Sequence, residues 1–418
     1  MEQIKIVLVG VGGYGGNYVS FFKERAEAGI RDFSIEGIVD PFAEKSYYWS
    51  WISQQQYPVY ASLEDFYREK SADLAMIATP IPLHKQQCIC AMEHGSHVLV
   101  EKPLCPIIQD AEALAETEKR TGKHLAVGFQ WSFSKPILSL KQDILNGKLG
   151  RPLYYRGFVS WQRFLGYYQN TWKGKYKDKN GNWILDCVIT NATAHYLHNL
   201  FFVAGASMVG GALNRAAMPE QVTAETYRIK RDMETPDLFA LKGTLAGGVP
   251  FWFASSYSLK GDQTTRFEYA FEKGIVRFNE GENDNMVRLT YESGAEAVYG
   301  NPQSKEEIFR KMEVMLQAVR SGDFSGNTCG VSTIMPHLKV TDAMLAYIEP
   351  KLVDERYLVE LKEHPEWEDY DRGVFADVLR DDLLECYAAM QLPSQRSYRW
   401  VGKPYSFVPD EAGFPFMQ

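Results

Sequence analysis

The sequence predicts a doubly wound parallel α/β domain followed by an α+β domain built on a largely antiparallel open sheet. Three observations predict it. Apolar runs alternate with helix-like stretches up to about residue 130; the first run ends in Gly10-x-Gly12-x-x-Gly15; and from about Leu149 β-rich stretches follow one another with few helices between them. Alternating strands and helices give right-handed crossovers and a parallel sheet, whereas strands joined by turns give an antiparallel one. At 418 residues the chain is too long for one core. It divides into a domain over 1–130, a second over 131–350, and an extension over 351–418 docked on the body.

Ile4–Val9 (IKIVLV) is a continuous apolar run, as a strand buried on both faces requires. A helix-like stretch leads from the glycine turn to about Ala28. Ser34–Val39 and Leu74–Ala78 read as strands, Lys85–Glu93 as a helix, and Val98–Val100 as a short strand ending in Glu101-Lys102-Pro103. Helical Asp110–Thr121 and strand Leu125–Gly128 close the first domain. Beyond it, strands are expected at Leu153–Gln162, Thr223–Lys230, Leu238–Leu245, Pro250–Ser258, Arg266–Phe278 and Met286–Tyr291. Helices are expected at Thr190–Val203, Glu306–Arg320 and Thr333–Ile348. In the extension Val374–Met390 reads as an amphipathic helix, and the aromatic end (Tyr398, Trp400, Tyr405, Phe407, Phe414, Phe416) is too apolar to hang free.

The composition, 45% hydrophobic and 23% charged, is that of a globular protein. A net charge of −8 excludes a global basic field, so neither nucleic acid nor an anionic membrane is an expected partner. No apolar run approaches the roughly 20 residues of a membrane span. MEQIKIVLVG enters a strand at once without the features of a signal peptide, and a cytoplasmic location is expected. The six cysteines include no Cys-x-x-Cys pair and read as reduced, buried thiols. The extension holds 14 acidic and 8 basic side chains, which is most of the net charge.

Gly10 permits a tight turn, Gly12 lets the backbone approach a pyrophosphate, and Gly15 allows close helix–strand packing. Gly13 and Tyr14 complete the turn, and the helix N-terminus offers N–H groups and a positive dipole end to the phosphates. Similar turns occur in methyltransferases, but Asp40 ends the second strand 25 residues beyond Gly15, placed to accept hydrogen bonds from an adenosine ribose. The first domain therefore reads as a Rossmann domain. A carboxylate at the ribose repels a 2′-phosphate by up to about 4 kcal/mol at an effective dielectric near 20. Pro41 and Phe42 supply no cation, so NAD is expected over NADP.

The stretch Ile77–Leu104, IATPIPLHKQQCICAMEHGSHVLVEKPL, resembles the glucose–fructose oxidoreductase/inositol dehydrogenase/MocA family in its Thr79-Pro80 turn, the following His84 and the Glu101-Lys102-Pro103 strand end. The resemblance is close over the first domain and looser to about Ile348. It implies an NAD-dependent oxidoreductase acting on a CH–OH group of a sugar, sugar derivative or cyclitol. It also implies that Lys102 is the catalytic lysine and that Thr79, Pro80, His84, Glu101 and Lys102 approach the cofactor. Lys102 has a reading of its own. Ligands of open parallel sheets bind beyond the carboxyl ends of the strands, where an ammonium can hold a substrate hydroxyl and offset charge on its oxygen as hydride leaves. His84 either lines the nicotinamide pocket or only caps its helix.

The family carries Asp-x-x-x-His on a later helix, its His bonding the reacting hydroxyl. His195 matches that His, and Asn191 stands where the family has Asp. Asn191, His195 and His198 share one face of the predicted helix. An amide carries no charge to raise a neighbouring imidazole pKa, which puts a relay through Asn191 in doubt. Asp186 is a substitute, out of phase if the helix already runs through it. His195 suits general acid–base work near neutral pH. His198 reads as structural, and with no carboxylate or Cys completing the set no metal is expected.

Trp161, Gln162, Arg163, Tyr167, Tyr168, Trp172, Lys173, Lys175, Tyr176 and Trp183 either form a carbohydrate platform or pack the domain interface. On the first reading Trp161, Arg163 and Trp172 join Lys102, Asn191 and His195 as substrate contacts. Two other functions stay open: an NAD-retaining glycosidase working by transient sugar oxidation, and a catalytically silent dinucleotide-binding regulatory protein. A homo-oligomer through the exposed face of the open sheet is expected.

Overall fold

The structure, a computed structural model, describes residues 3–169, 172–261, 264–280, 283–364 and 371–412. In chain order it begins β1 (Ile4–Val9), α1 (Gly15–Glu27), β2 (Phe33–Val39), α2 (Trp49–Gln54), β3 (Val59–Tyr60), α3 (Leu63–Glu69) and β4 (Leu74–Ile77). Then come α4 (Ile81–Glu93), β5 (His97–Val100), α5 (Ile108–Thr121), β6 (Leu125–Val127), α6 (Lys135–Leu145), β7 (Pro152–Ser160) and α7 (Ala194–Ala204). A run of strands follows: β8 (Gln221–Arg228), β9 (Leu238–Leu245), β10 (Val249–Ser256), β11 (Thr264–Phe271), β12 (Gly274–Phe278), β13 (Val287–Tyr291) and β14 (Glu296–Gly300). The chain ends in α8 (Lys305–Ser321), α9 (Val331–Tyr347), β15 (Lys351–Leu352), β16 (Leu358–Lys362), β17 (Arg372–Ala376), α10 (Leu379–Ala389) and β18 (Tyr405–Phe407).

These elements fall into two compact units. The first is Met1–Cys105, Gln109–Phe133 and Lys305–Thr333; the second is Pro106–Ile108, Ser134–Ser304 and Ile334–Gln418. The first unit carries a six-stranded sheet of order β3-β2-β1-β4-β5-β6 with every pair parallel, the Rossmann order. Its central strands are apolar apart from the exposed Lys5 because both faces are covered: Leu74–Ile77 is buried at all four positions. Helix α8 returns to this unit, with acidic Glu306 and Glu307 at its start and Arg320 at its end, as the helix dipole favours. It packs Phe309 on Phe21 at 5.7 Å, and Arg320 pairs with Asp32.

The second unit is built on one mixed sheet, in which β14-β13-β12-β11-β7-β10-β9-β8-β15 lie side by side and β18 adds to β8. Most pairs are antiparallel; β7/β10 and β8/β15 are parallel. Register puts Phe158, Ala254 and Ala240 side by side on one face, and Tyr155, Phe251 and Gly243 on the other. Phe201 of α7 packs on Phe251. The opposite face is covered by the chain's own C-terminal part. Leu379, Leu383, Cys386 and Tyr387 of α10, with Leu392 and Trp400, form one buried cluster with Phe158, Tyr227, Leu238, Trp252 and Ala254. The indole of Trp252 donates to the Gln391 carbonyl at 2.9 Å. Over β7 to β9, then, this face of the sheet is covered by the same chain. Phe414 and Phe416 lie outside the described residues.

The structure corrects two element assignments. Arg266–Phe278 is a hairpin, β11 and β12 joined at Glu272-Lys273, a two-residue turn without the Gly, Asn or Asp that would mark it in the sequence. Val374–Met390 is strand β17 followed by α10. Val378 between them takes a left-handed φ of 59°, and Lys230 holds the strand by donating to the Val374 carbonyl at 3.0 Å. Burial pulls the Lys230 ammonium down to about 8. All six cysteines are buried, and none forms a disulfide.

Two predictions follow from this packing. Trp400 is buried edge-on to Tyr227 at 5.1 Å and donates to Asp382 at 2.6 Å. Trp400→Ala should cost about 3–5 kcal/mol in a urea titration. Glu118 accepts from the Leu125 amide at 2.7 Å, and burial raises its carboxyl from 4.5 to about 7. A raised acid favours the protonated native state, so stability falls as pH rises from about 4.5 to about 7. Glu118→Gln keeps the acceptor and should add about 2–3 kcal/mol at pH above 7 and nothing near pH 4.5, read from melting curves across pH.

Candidate active site

The glycine turn follows directly from β1. Gly10 has φ 80°, and a Cβ there would lie 2.7 Å from the Ala78 carbonyl oxygen. A Cβ on Gly15 would lie 2.1 Å from the Gly10 carbonyl oxygen, so α1 can start this close to the strand only as glycine. Around Gly12 a Cβ would meet nothing within 4 Å, which is the open space a ligand backbone needs. Tyr14 precedes the helix without capping it by its side chain, and the amides of Gly15, Gly16 and Asn17 turn back onto the carbonyls of Gly12, Gly13 and Tyr14. This cradle fits a dinucleotide pyrophosphate.

Asp40 ends β2, and its carboxylate braces the turn. It accepts from the Val11 amide at 2.9 Å and from the Phe42 amide at 2.9 Å, and each oxygen retains a lone pair for a ribose hydroxyl. The structure adds a cation that the sequence reading did not count: the Lys45 ammonium lies 4.7 Å from the Phe42 ring.

At the ends of β4 and β5, Thr79-Pro80 and Glu101-Lys102-Pro103 both meet His84. Its buried ring contacts the Thr79 carbonyl at 2.8 Å through Nε2 and the Pro103 carbonyl at 2.9 Å through Nδ1. Burial lowers its pKa, and a neutral imidazole donates through one nitrogen at a time. His84 therefore hydrogen-bonds one of these two turns at a time, by its backbone carbonyl. The Lys102–Pro103 bond is cis, and Lys102 is half-buried, its amide 3.3 Å from Glu101 Oε2.

Glu101 is buried, and its Oε1 receives the Tyr18 hydroxyl at 2.7 Å and the ammonium of Lys311. The space is made by Gly128, whose Cβ would lie 2.8 Å from Glu101 Oε2. Burial opposes the Lys311 charge, and Glu101 and Tyr14 together outweigh it, holding the ammonium above its ordinary pKa. Lys311 also reaches the Tyr14 hydroxyl at 3.3 Å, which in turn donates to Gln130 at 3.0 Å. Tyr18, Gln130 and Lys311 carry no mark in the sequence. Lys311 arrives on α8, 210 residues after its partner.

In the second unit α7 begins at Ala194, four residues later than expected. Asn191 thus lies in the turn ahead of the helix, off the face that carries His195 and His198. Its amide donates to Asp186 Oδ1 at 2.7 Å, and Asp186 Oδ2 accepts from the Gly174 amide at 2.6 Å. No helix runs through Asp186, so the objection from helix phase disappears, and a buried carboxylate stands one hydrogen bond behind Asn191. His195 opens α7 and is half-buried. His198 is buried, stacked on Phe202 and edge-on to His337, and burial holds its pKa well below the ordinary value.

The aromatic segment packs around Arg163. Its guanidinium lies 5.6 Å from the Trp161 ring, 5.2 Å from Tyr167 and 5.5 Å from Tyr257. Trp161 is anchored to Thr265 at 2.7 Å, and the Lys173 ammonium lies 3.7 Å from the Tyr167 ring. Burial lowers the Lys173 pKa. Tyr257 accepts the Ala192 amide at 3.0 Å, linking this cluster to the turn of Asn191. Trp172 is half-buried. Among the described residues no group of three or more His, Cys, Asp or Glu could hold a metal ion, and no helix is long and apolar enough to cross a membrane.

Residues 4–129 match the model of the oxidoreductase family with an NAD-binding Rossmann fold. The chain is 34% identical over 137 residues to the scyllo-inositol 2-dehydrogenase (NAD(+)) of Bacillus subtilis, covering 33% of this chain and 34% of that one. It is 23% identical over 291 residues to the inositol 2-dehydrogenase of Corynebacterium glutamicum, covering 69% and 76%. Across three of the curated relatives it matches, the chain spans about a third to a half of their own length. In fold it is similar to an oxidoreductase from Agrobacterium radiobacter solved with NAD+, L-tartaric acid and magnesium. That similarity has a TM-score of 0.65 at 17% identity and covers 82% of this chain and 95% of that one.

A methyl at Gly15 has nowhere to go but the Gly10 carbonyl. Gly15→Ala should lower stability by about 1–3 kcal/mol in chemical denaturation.

Proposed function

The chain belongs to the glucose–fructose oxidoreductase/inositol dehydrogenase/MocA family, and we propose that it passes a hydride between a sugar or cyclitol hydroxyl carbon and NAD. The observation that carries this reading is the glycine cradle at the end of β1, beside which the Lys102 turn is held by His84 and Glu101. Gly10, Gly12, Gly13, Tyr14 and Gly15 would hold the pyrophosphate and Asp40 the adenosine ribose. When bound, NAD supplies the hydride acceptor. The comparisons include relatives named for NAD and for NADP; the carboxylate of Asp40 favours NAD.

Lys102 binds the substrate hydroxyl and offsets the charge that develops on its oxygen as the carbon is oxidised. His195 takes the hydroxyl proton. Asn191 keeps a neutral acceptor oxygen turned by its bond to Asp186, so the carboxylate of the Asp-x-x-x-His pattern acts one residue removed. Trp161 and Arg163 present aromatic and cationic surface to a polyhydroxylated ring, with Trp172 as a third contact.

Lys102→Met tests the assignment. NAD+ binding by calorimetry should stay within about two-fold, while NADH formation across a panel of cyclitols, sugars and sugar acids falls by about a thousand-fold or more. Full turnover in the variant would remove Lys102 from the reaction. Turnover of a glycoside without net NADH would favour transient oxidation, and NAD binding with no turnover on any substrate would favour a regulatory role.

A further inference from the structure

We infer that Lys311 is a positioning residue for the dinucleotide turn, acting through the hydroxyl of Tyr14. The inference rests on the dinucleotide-binding reading above. The buried face of α8 is otherwise apolar, with Met312, Met315, Leu316 and Ala318, and a lysine placed there costs free energy unless its charge is answered. Glu101 answers it, and that ion pair alone would satisfy the electrostatics. The ammonium does more. It has three donors, and beyond Glu101 they reach the Tyr14 hydroxyl at 3.3 Å and the Gly128 carbonyl at 3.5 Å. It also lies 4.7 Å from the Tyr14 ring and 5.6 Å from the Tyr18 ring.

The direction of each bond is determined. Lys311 can only donate, so Tyr14 accepts from it and spends its own proton on Gln130. Tyr14 is therefore held at both ends of its hydroxyl. It is also the residue before α1, and its carbonyl accepts the Asn17 amide at 2.9 Å. A restraint on its side chain is thus a restraint on the backbone that would cradle the pyrophosphate. One ammonium ties three strand ends together: the turn after β1, the Glu101 end of β5 and the Gly128 end of β6. In a motif whose glycines supply freedom, this tie supplies the missing stiffness, and its loss is expected to appear as a lower affinity for NAD+.

Calorimetric titration of the full chain with NAD+ tests this in wild type, Tyr14→Phe and the double variant Glu101→Gln/Lys311→Met. The double variant removes both charges together, which buried pairs tolerate far better than loss of one. Melting curves establish a temperature at which each variant is folded. Affinity is expected to fall about five-fold in Tyr14→Phe, the scale of one hydrogen bond, and about ten-fold or more in the double variant although it melts near wild type. Wild-type affinity in Tyr14→Phe overturns the inference, as does wild-type affinity in a folded double variant, which would make Lys311 structural only. If the double variant does not fold, Tyr14→Phe decides alone. A wild-type chain that binds no NAD+ is a different failure: it removes the dinucleotide reading itself and this inference with it.

Discussion

A carboxylate buried at the end of a parallel strand has to be answered by a cation, and here the answer comes from 210 residues away. Inside the first unit Glu101 is met by the Lys311 ammonium and the Tyr18 hydroxyl. Much else is arranged around that pair. Gly128 must lack a side chain to admit the carboxylate, and α8 must return to the nucleotide-binding unit after the whole strand-rich segment. A domain that looks continuous in sequence is in this respect completed by a distant helix. The charge at the strand end and the path of the chain are one requirement.

The second unit meets a different constraint. Its central strands are apolar on both faces, so each face needs a cover. One face receives α7, with Phe201 on Phe251. The other receives the C-terminal part, whose own composition is acidic; its apolar residues are concentrated where α10 and Trp400 meet the sheet. Nearer β11 and β12 the same face carries ion pairs, with Glu268 between Arg156 and Arg277, and Arg156 also donates to the Tyr387 carbonyl. Apolar cover thus gives way to paired charge across one sheet face.

The turn ahead of α7 places a buried carboxylate behind an amide. The Asn191 amide hands its N–H to Asp186. Asp186 is buried and held by the Gly174 amide, so its position is set by backbone on one side and by Asn191 on the other. Tyr257 closes the arrangement by accepting the Ala192 amide and carrying the Arg163 guanidinium near its ring.

The strands of the first unit, the glycine turn, Asp40 and the Glu101-Lys102-Pro103 end were legible because each rests on local rules: apolar runs, φ freedom at Gly10, and the helix N-terminus at Gly15. Element boundaries failed where tertiary contact overrode local pattern, as in the unmarked turn at Glu272-Lys273 and in β17, whose strand is held by Lys230. The start of α7 at Ala194 could not be read from the spacing of Asn191 and His195, because the preceding turn is bound by Asp186 and Tyr257. By itself the sequence determined the apolar strands of the first unit and the glycine turn that follows the first of them. The tertiary structure alone decided which buried charge answers which, since Lys311 with Glu101 and Asp186 with Asn191 are pairings of distance and burial, and neither is a periodic property of the chain.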